Sequence, residues 1–127
     1  MKIAHIDHLV LTVKDIGASC TFYNNVLGMQ EVVFGYGRKA VIFGNQKINF
    51  HQQGRELEPK ALHPTPGSGD LCFMTTDSLA DVVRHIRDCE VEILEGSVKK
   101  TGALGPMMSI YVRDPDRNLI EVATYNN

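Results

Sequence analysis

The chain has 127 residues, 43% of them hydrophobic and 22% charged, with a formal net charge of -2. That length can bury a real core in one compact domain without metal or disulfide staples. The 13 Lys and Arg are scattered among 15 Asp and Glu, with no basic run longer than Lys99-Lys100, which argues against nucleic acid as a partner.

Three cysteines, Cys20, Cys72 and Cys89, are odd in number and lack CxxC spacing, and they read as buried free thiols of a reducing compartment. No basic segment followed by an apolar stretch opens the chain, and no run approaches the roughly eighteen apolar residues of a membrane span. The expected location is therefore the cytoplasm, with no membrane partner.

Taken in order, Ile3 to Val13 alternates as a strand. Leu9, Leu11 and Val13 share one face, and His8, Val10 and Thr12 share the other. Asp15 is placed to cap a helix whose apolar positions, from Ile16 to Leu27, recur at helical spacing until Gly28. Glu31 to Gly35, Arg38 to Phe43 and Gln46 to Gln53 then read as an antiparallel meander, punctuated by Gly35-Tyr36-Gly37 and Gly44-Asn45. Residues 54–69 carry Pro59, Pro64, Pro66 and Gly67-Ser68-Gly69 without a clear period, as expected of a linker.

The order then repeats. A strand from Leu71 to Thr75 leads to Asp77 or Ser78 as a cap, and a helix follows with Leu79, Val82, Val83, Ile86 and Cys89 on one face. Strands are expected at Val91 to Leu94, Met107 to Arg113 and Leu119 to Tyr125, the last two joined by the turn Asp114-Pro115-Asp116-Arg117-Asn118. The fold class predicted is α+β: two βαβββ modules, 1–53 and 70–127, joined by the linker within one domain. Their strands would form a curved, antiparallel-type sheet with the helices outside.

Aligning the two modules pairs His8 with Asp70 and Asn49 with Glu121, each on a strand face opposite the clearest apolar run. An Asp and a Glu set in apolar strands are costly to ionise without a cation or donors beside them. An imidazole with two carboxylates suits a divalent ion such as Mn, Fe, Ni or Zn and leaves coordination positions open. His51, on the same face as Asn49, is a fourth ligand or a catalytic base. Arg38, Lys100, Ser109 and Tyr111 are candidates to hold an anionic substrate, while His5, His63 and His85 have no partner pattern and are expected in solvent.

Three segments carry a resemblance: His8-Leu9-Val10-Leu11-Thr12-Val13-Lys14-Asp15, Phe22-Tyr23-Asn24-Asn25-Val26-Leu27-Gly28-Met29, and Arg113-Asp114-Pro115-Asp116-Arg117-Asn118-Leu119-Ile120-Glu121. In this order they resemble the vicinal oxygen chelate superfamily, which includes glyoxalase I, bleomycin-resistance proteins and extradiol dioxygenases. Asn49-Phe50-His51, Glu58-Pro59-Lys60-Ala61, Lys100-Thr101-Gly102-Ala103 and Pro106-Met107-Met108-Ser109-Ile110-Tyr111 are similar to the branch of glyoxalase domain-containing protein 5 and bacterial virulence proteins.

The resemblance implies paired βαβββ modules forming a metal-holding cup, usually in a homodimer, with His8 and Glu121 at the first and last ligand positions. It departs from the pattern at Asn49, where glyoxalase I has a carboxylate, and at Asp70, where the family usually has histidine. The activity expected is a divalent-metal lyase or isomerase of glyoxalase type, with metal at His8, Asp70, Glu121 and His51, and with His51 and Glu121 moving protons. The alternatives are an Fe(II) dioxygenase of catechol-like substrates and a metal-free small-molecule binding protein.

Overall fold

Local chemistry sets the first elements of the structure, a computed structural model that describes residues 1–126. Strand β1 (His8–Val13) buries Leu11 and Val13. Asp15 Oδ1 then accepts the Ala18 backbone N–H at 3.1 Å and starts helix α1 (Ile16–Asn25). The helix closes where Gly28 takes a φ of 68°, and the N–H groups of Gly28 and Met29 return to the Asn24 and Tyr23 carbonyls. Strands β2 (Gln30–Phe34), β3 (Arg38–Phe43) and β4 (Gln46–Gln52) follow, as the meander pattern predicts.

The chain divides into two compact units, Met1–Gly67 and Ser68–Asn127. The first holds a four-stranded sheet in the order β1-β4-β3-β2, with β1 and β4 parallel and the other pairs antiparallel. Its core gathers where α1 meets the sheet: Tyr23 is fully buried, its ring 5.6 Å from that of Phe50.

The second unit repeats the plan with β5 (Asp70–Met74), α2 (Leu79–Asp88), β6 (Glu95–Gly102), β7 (Gly105–Arg113) and β8 (Leu119–Thr124). Ser78 Oγ accepts the Asp81 N–H at 3.2 Å and caps α2. The sheet order is β5-β8-β7-β6, again with a parallel pair, β5 with β8. Ile86 of α2 is buried, as are Ile110, Val112 and Ile120 of the sheet. Two βαβββ modules are thus present, but each sheet is mixed rather than wholly antiparallel.

Three expectations need correction. The first strand begins at His8, not Ile3, because β4 starts at Gln46 and its first ladder partner for β1, Lys47, stands opposite His8. No strand runs from Val91 to Leu94: Val91 N–H returns to the Ile86 carbonyl at 3.2 Å to close α2, after Glu90 at a φ of 60°. The strand lies instead at Glu95–Gly102, where Val98 is the only large apolar residue, so no hydrophobic period announces it. All three cysteines are free thiols, yet only Cys20 is buried, while Cys72 is exposed and Cys89 half-buried.

The turn between β7 and β8 is a small buried machine. Asp114, 4% exposed, accepts the Asp116 N–H at 3.0 Å and the Asn118 N–H at 2.9 Å, and the Asn118 amide donates back to Asp114 Oδ2 at 2.8 Å. Asn118 Oδ1 accepts the Gly69 N–H at 2.7 Å, and Leu119 N–H reaches the Gly69 carbonyl at 3.0 Å. These bonds seat the start of β5 beside β8. Asn118→Ala removes the acceptor of the half-buried Gly69 N–H and one donor to the buried Asp114 carboxylate, and should cost about 2–3 kcal/mol. Urea unfolding measures it, and a loss below about 0.5 kcal/mol would contradict this role.

Candidate functional site

Strand register assigns every side chain of each sheet to one of two faces. In the first sheet, His8 stands opposite Lys47, Val10 opposite Asn49 and Thr12 opposite His51. In the second, Asp70 stands opposite Leu119 and Cys72 opposite Glu121. The two parallel ladders therefore place His8 and Asp70 at equivalent positions, and likewise Asn49 and Glu121, as the alignment of the modules predicts. His8 and Asn49 lie on the face away from α1, because Phe50, on the other face, meets Tyr23 of that helix, and Asp70 and Glu121 lie on the face opposite the buried Ile120 and Val122.

On the first sheet this face holds a buried His51, 6% exposed, with Asn49 beside it at 5%. Burial, then the Arg38 guanidinium, holds the His51 imidazole below its ordinary value, with Glu56 pulling weakly the other way. The imidazole is therefore neutral at physiological pH and free to accept a proton or bind a cation. The Asn49 Oδ1 atom is buried and has no hydrogen-bond partner among the described residues. His8 sits at the exposed start of β1, its Nδ1 2.8 Å from Asp7 Oδ2, a contact that holds the Asp7 carboxyl below its usual range. Arg38 and Lys47 both lie over the Phe34 ring, at 4.7 and 4.0 Å from its centroid.

On the second sheet Glu121 is the centre. Ser109, fully buried, donates its hydroxyl to Glu121 Oε2 at 2.6 Å. Tyr111, opposite Glu121 in the ladder, and Cys72, its partner on the other side, also hydrogen-bond the carboxylate. Burial, then the Glu121 charge, pushes the Cys72 thiol up to about 11 and the Tyr111 hydroxyl up to about 12. Three donors on one carboxylate fix its orientation within the sheet.

Lys100 stands 5.5 Å from the Tyr111 ring centroid. Gly96 lets β6 pass close to this cluster: a Cβ there would lie 2.9 Å from the Ser109 carbonyl and 2.7 Å from Ile110. Asp70 opens β5 on the same face, exposed, two residues from Cys72.

Within the first unit the structure therefore groups His51 with Arg38 and Asn49, and within the second it groups Glu121 with Ser109 and Tyr111. Among the described residues, no three His, Cys, Asp or Glu side chains are gathered closely enough to hold a metal ion. His5, His63 and His85 are exposed, as expected. Sequence reasoning missed Cys72, Lys47 and Phe34. Cys72 could have been found by counting two residues from Asp70 along the same strand face. Lys47 and Phe34 come together from strands that are not adjacent in the sheet, so no spacing signals them.

The model of the Glyoxalase/Bleomycin resistance protein/Dioxygenase superfamily matches residues 5–122. Virulence protein STM3117 of Salmonella typhimurium is 58% identical over 125 residues, covering 98% of this chain and 87% of that protein. Glyoxalase domain-containing protein RDO1 of Mycosarcoma maydis is 54% identical over 127 residues, covering 100% of this chain and 72% of that one. Among solved structures, integron cassette protein VCH_CASS1 from the mobile metagenome of V. cholerae superposes with a TM-score of 0.98 at 58% identity, covering 99% of this chain and 98% of that one.

The hydrogen bond from Cys72 to Glu121 makes a chemical prediction. With its thiol near 11, Cys72 should react with iodoacetamide slowly at pH 8, although its residue is exposed, and its rate should climb about tenfold per pH unit toward pH 10 because only the thiolate attacks. Glu121→Gln removes the negative charge and should speed Cys72 alkylation at pH 8 by about three- to tenfold. Peptide mass spectrometry reads the rate at each cysteine, and an unchanged Cys72 rate in the variant would contradict the contact.

Proposed function

This chain belongs to the glyoxalase/bleomycin resistance protein/dioxygenase superfamily, and on that premise we propose that it is a divalent-metal enzyme of glyoxalase type. Such an enzyme moves a proton between adjacent carbons of a small substrate that carries oxygens on both. The observation that carries the reading is the equivalence of the two parallel ladders. It sets Asn49 and Glu121 at one position, and His8 and Asp70 at another, on the strand face opposite the apolar run of Ile48 and Phe50 in one unit and of Ile120 and Val122 in the other.

The donors suit the metal by their chemistry. Asn49 Oδ1 is a buried amide oxygen with no partner among the described residues, and His51, on the same strand face, is a neutral imidazole. Nitrogen and oxygen donors of this kind favour Ni, Zn, Mn or Fe over softer ions. The second unit offers Asp70 and Glu121 as proposed ligands and the first unit offers His8, with His51 reserved as the base. When bound, the metal would act as a Lewis acid on the substrate oxygens.

The rest of the chemistry falls to the chain. Glu121 is held by Ser109, Tyr111 and Cys72, which keep its carboxylate aimed and limit its rotation. His51, kept neutral by burial, accepts the substrate proton at a ring nitrogen and returns it to the neighbouring carbon. A dioxygenase acting on a catechol-like substrate would use the same donors but requires Fe(II) and O2, and iron-loaded protein that consumed O2 with catechols would redirect the reading there.

Elemental analysis of protein purified without chelators tests the proposal. The wild type should carry close to one equivalent of divalent metal per chain, and Glu121→Ala should lower its metal affinity about 10- to 100-fold or more. Equal and negligible metal in both proteins would contradict it and leave a metal-free binding protein as the better account.

A further inference from the structure

The register of the first sheet exposes an imbalance of charge that the proposed proton transfer does not use. Its face away from α1 carries His8, Val10 and Thr12 from β1, Lys47, Asn49 and His51 from β4, Arg38, Ala40 and Ile42 from β3, and Gln30, Val32 and Phe34 from β2. Among these strand residues none is Asp or Glu. The acidic residue of β2, Glu31, lies on the other face and pairs with Lys39 at 3.2 Å.

Two permanent cations, Arg38 and Lys47, share the Phe34 ring, and no ion pair engages either among the described residues. Asp7, within electrostatic reach of Lys47, is already bonded to His8, and Glu56, which acts on His51, is bonded to the Gly54 N–H at 2.7 Å.

Half-buried cations collected over one ring, beside a neutral imidazole and an unpartnered amide oxygen, call for an anion. The anion this surface suits is a carboxylate. A phosphate site in most folds draws on free backbone N–H groups or a helix N-terminus. Here the backbone N–H groups of β3 and β4 are spent in the ladder and α1 packs on the opposite face. A guanidinium steadied by stacking presents a planar fork that matches the two oxygens of one carboxylate, and Lys47 adds a point charge that a second carboxylate would use.

We propose that Arg38, with Lys47, forms a carboxylate-binding subsite beside His51, and that the substrate is a small acid whose second and third carbons carry a hydroxyl and a carbonyl, its acid group seated on Arg38 while the proton moves between those two carbons. This deepens the function proposed above and rests on it for the claim that the bound acid is a substrate. The carboxylate holds the molecule by one end while the adjacent oxygen-bearing carbon lies next to the His51 imidazole. Arg38 is then a binding residue for the substrate, not a proton carrier.

NMR titration of chelator-treated protein tests the subsite separately from the metal. The probes are lactate, its neutral counterpart lactamide, and malate, followed at the Arg38 side-chain N–H and the His51 ring. Lactate and malate should give saturable shifts and lactamide none. Arg38→Ala, with its backbone spectrum otherwise unchanged, should weaken lactate binding at least about tenfold, as expected for losing a charge-assisted bidentate contact. Arg38→Lys should retain part of the affinity, and Lys47→Gln should weaken malate more than lactate.

Equal binding of lactate and lactamide, wild-type affinity in Arg38→Ala, or no saturable shift with either acid overturns the subsite. If the acids bind through Arg38 while elemental analysis finds no metal in any preparation, the subsite stands and the metal reading falls. If metal binds and the acids do not, the reverse holds.

Discussion

Each unit of this protein is closed by a parallel ladder between its first and last strands, and the placement of every polar group of interest follows from that pairing. The intervening helix and two strands must be traversed before the ladder can form, so its loop-closure cost comes before its hydrogen bonds. In the second unit the buried Asp114 and Asn118 network holds the two ends together by tying Gly69 to the turn that opens β8. A slip of β8 by one residue against β5 would turn Glu121 onto the face now held by Ile120 and Val122, away from Cys72, and bring Ile120 and Val122 out of the core. The turn therefore governs the site as much as the stability.

The two sheets share a plan and have diverged in charge. Position for position, Asn49 stands where Glu121 stands, and Val10 where Cys72 stands. The first sheet presents cations and an imidazole on its face away from α1. The second presents a carboxylate wrapped by a hydroxyl, a phenol and a thiol. A duplicated scaffold of this kind keeps its apolar core positions on the helix side and is free to change the other side, where packing constrains less. Divergence there leaves one half with cations and an imidazole and the other with a carboxylate among hydrogen-bond donors.

Much of this was legible in the chain itself. The alternation of β1, the Asp15 and Ser78 caps, the Gly35, Gly37 and Gly44 turns and the Asp-Pro-Asp turn each have a local physical cause, and the structure bears them out. The equivalence of His8 with Asp70 and of Asn49 with Glu121 was also legible, because period-two alternation carries register information once the strands are aligned.

What escaped was set by long-range contact. The β6 strand is almost wholly polar and exists because β7 offers it an antiparallel partner. The exposure of Cys72 follows from its facing Glu121 rather than the core. The convergence of Arg38 and Lys47 on Phe34 needs side chains to reach across the sheet, which no one-dimensional pattern records. The position of a carboxylate such as Glu121 can thus be located by spacing, whereas the convergence of cations on a ring has to be found in three dimensions.

The central claim is that Glu121, oriented by Ser109, Tyr111 and Cys72, belongs to a divalent-metal centre. Anomalous diffraction at the absorption edge of manganese or nickel, from crystals grown with that metal, tests it most directly. The account predicts an ordered peak at a coordination distance of about 2.0–2.2 Å from a Glu121 carboxylate oxygen. A metal bound elsewhere without Glu121, or no ordered peak in metal-saturated crystals, would contradict it.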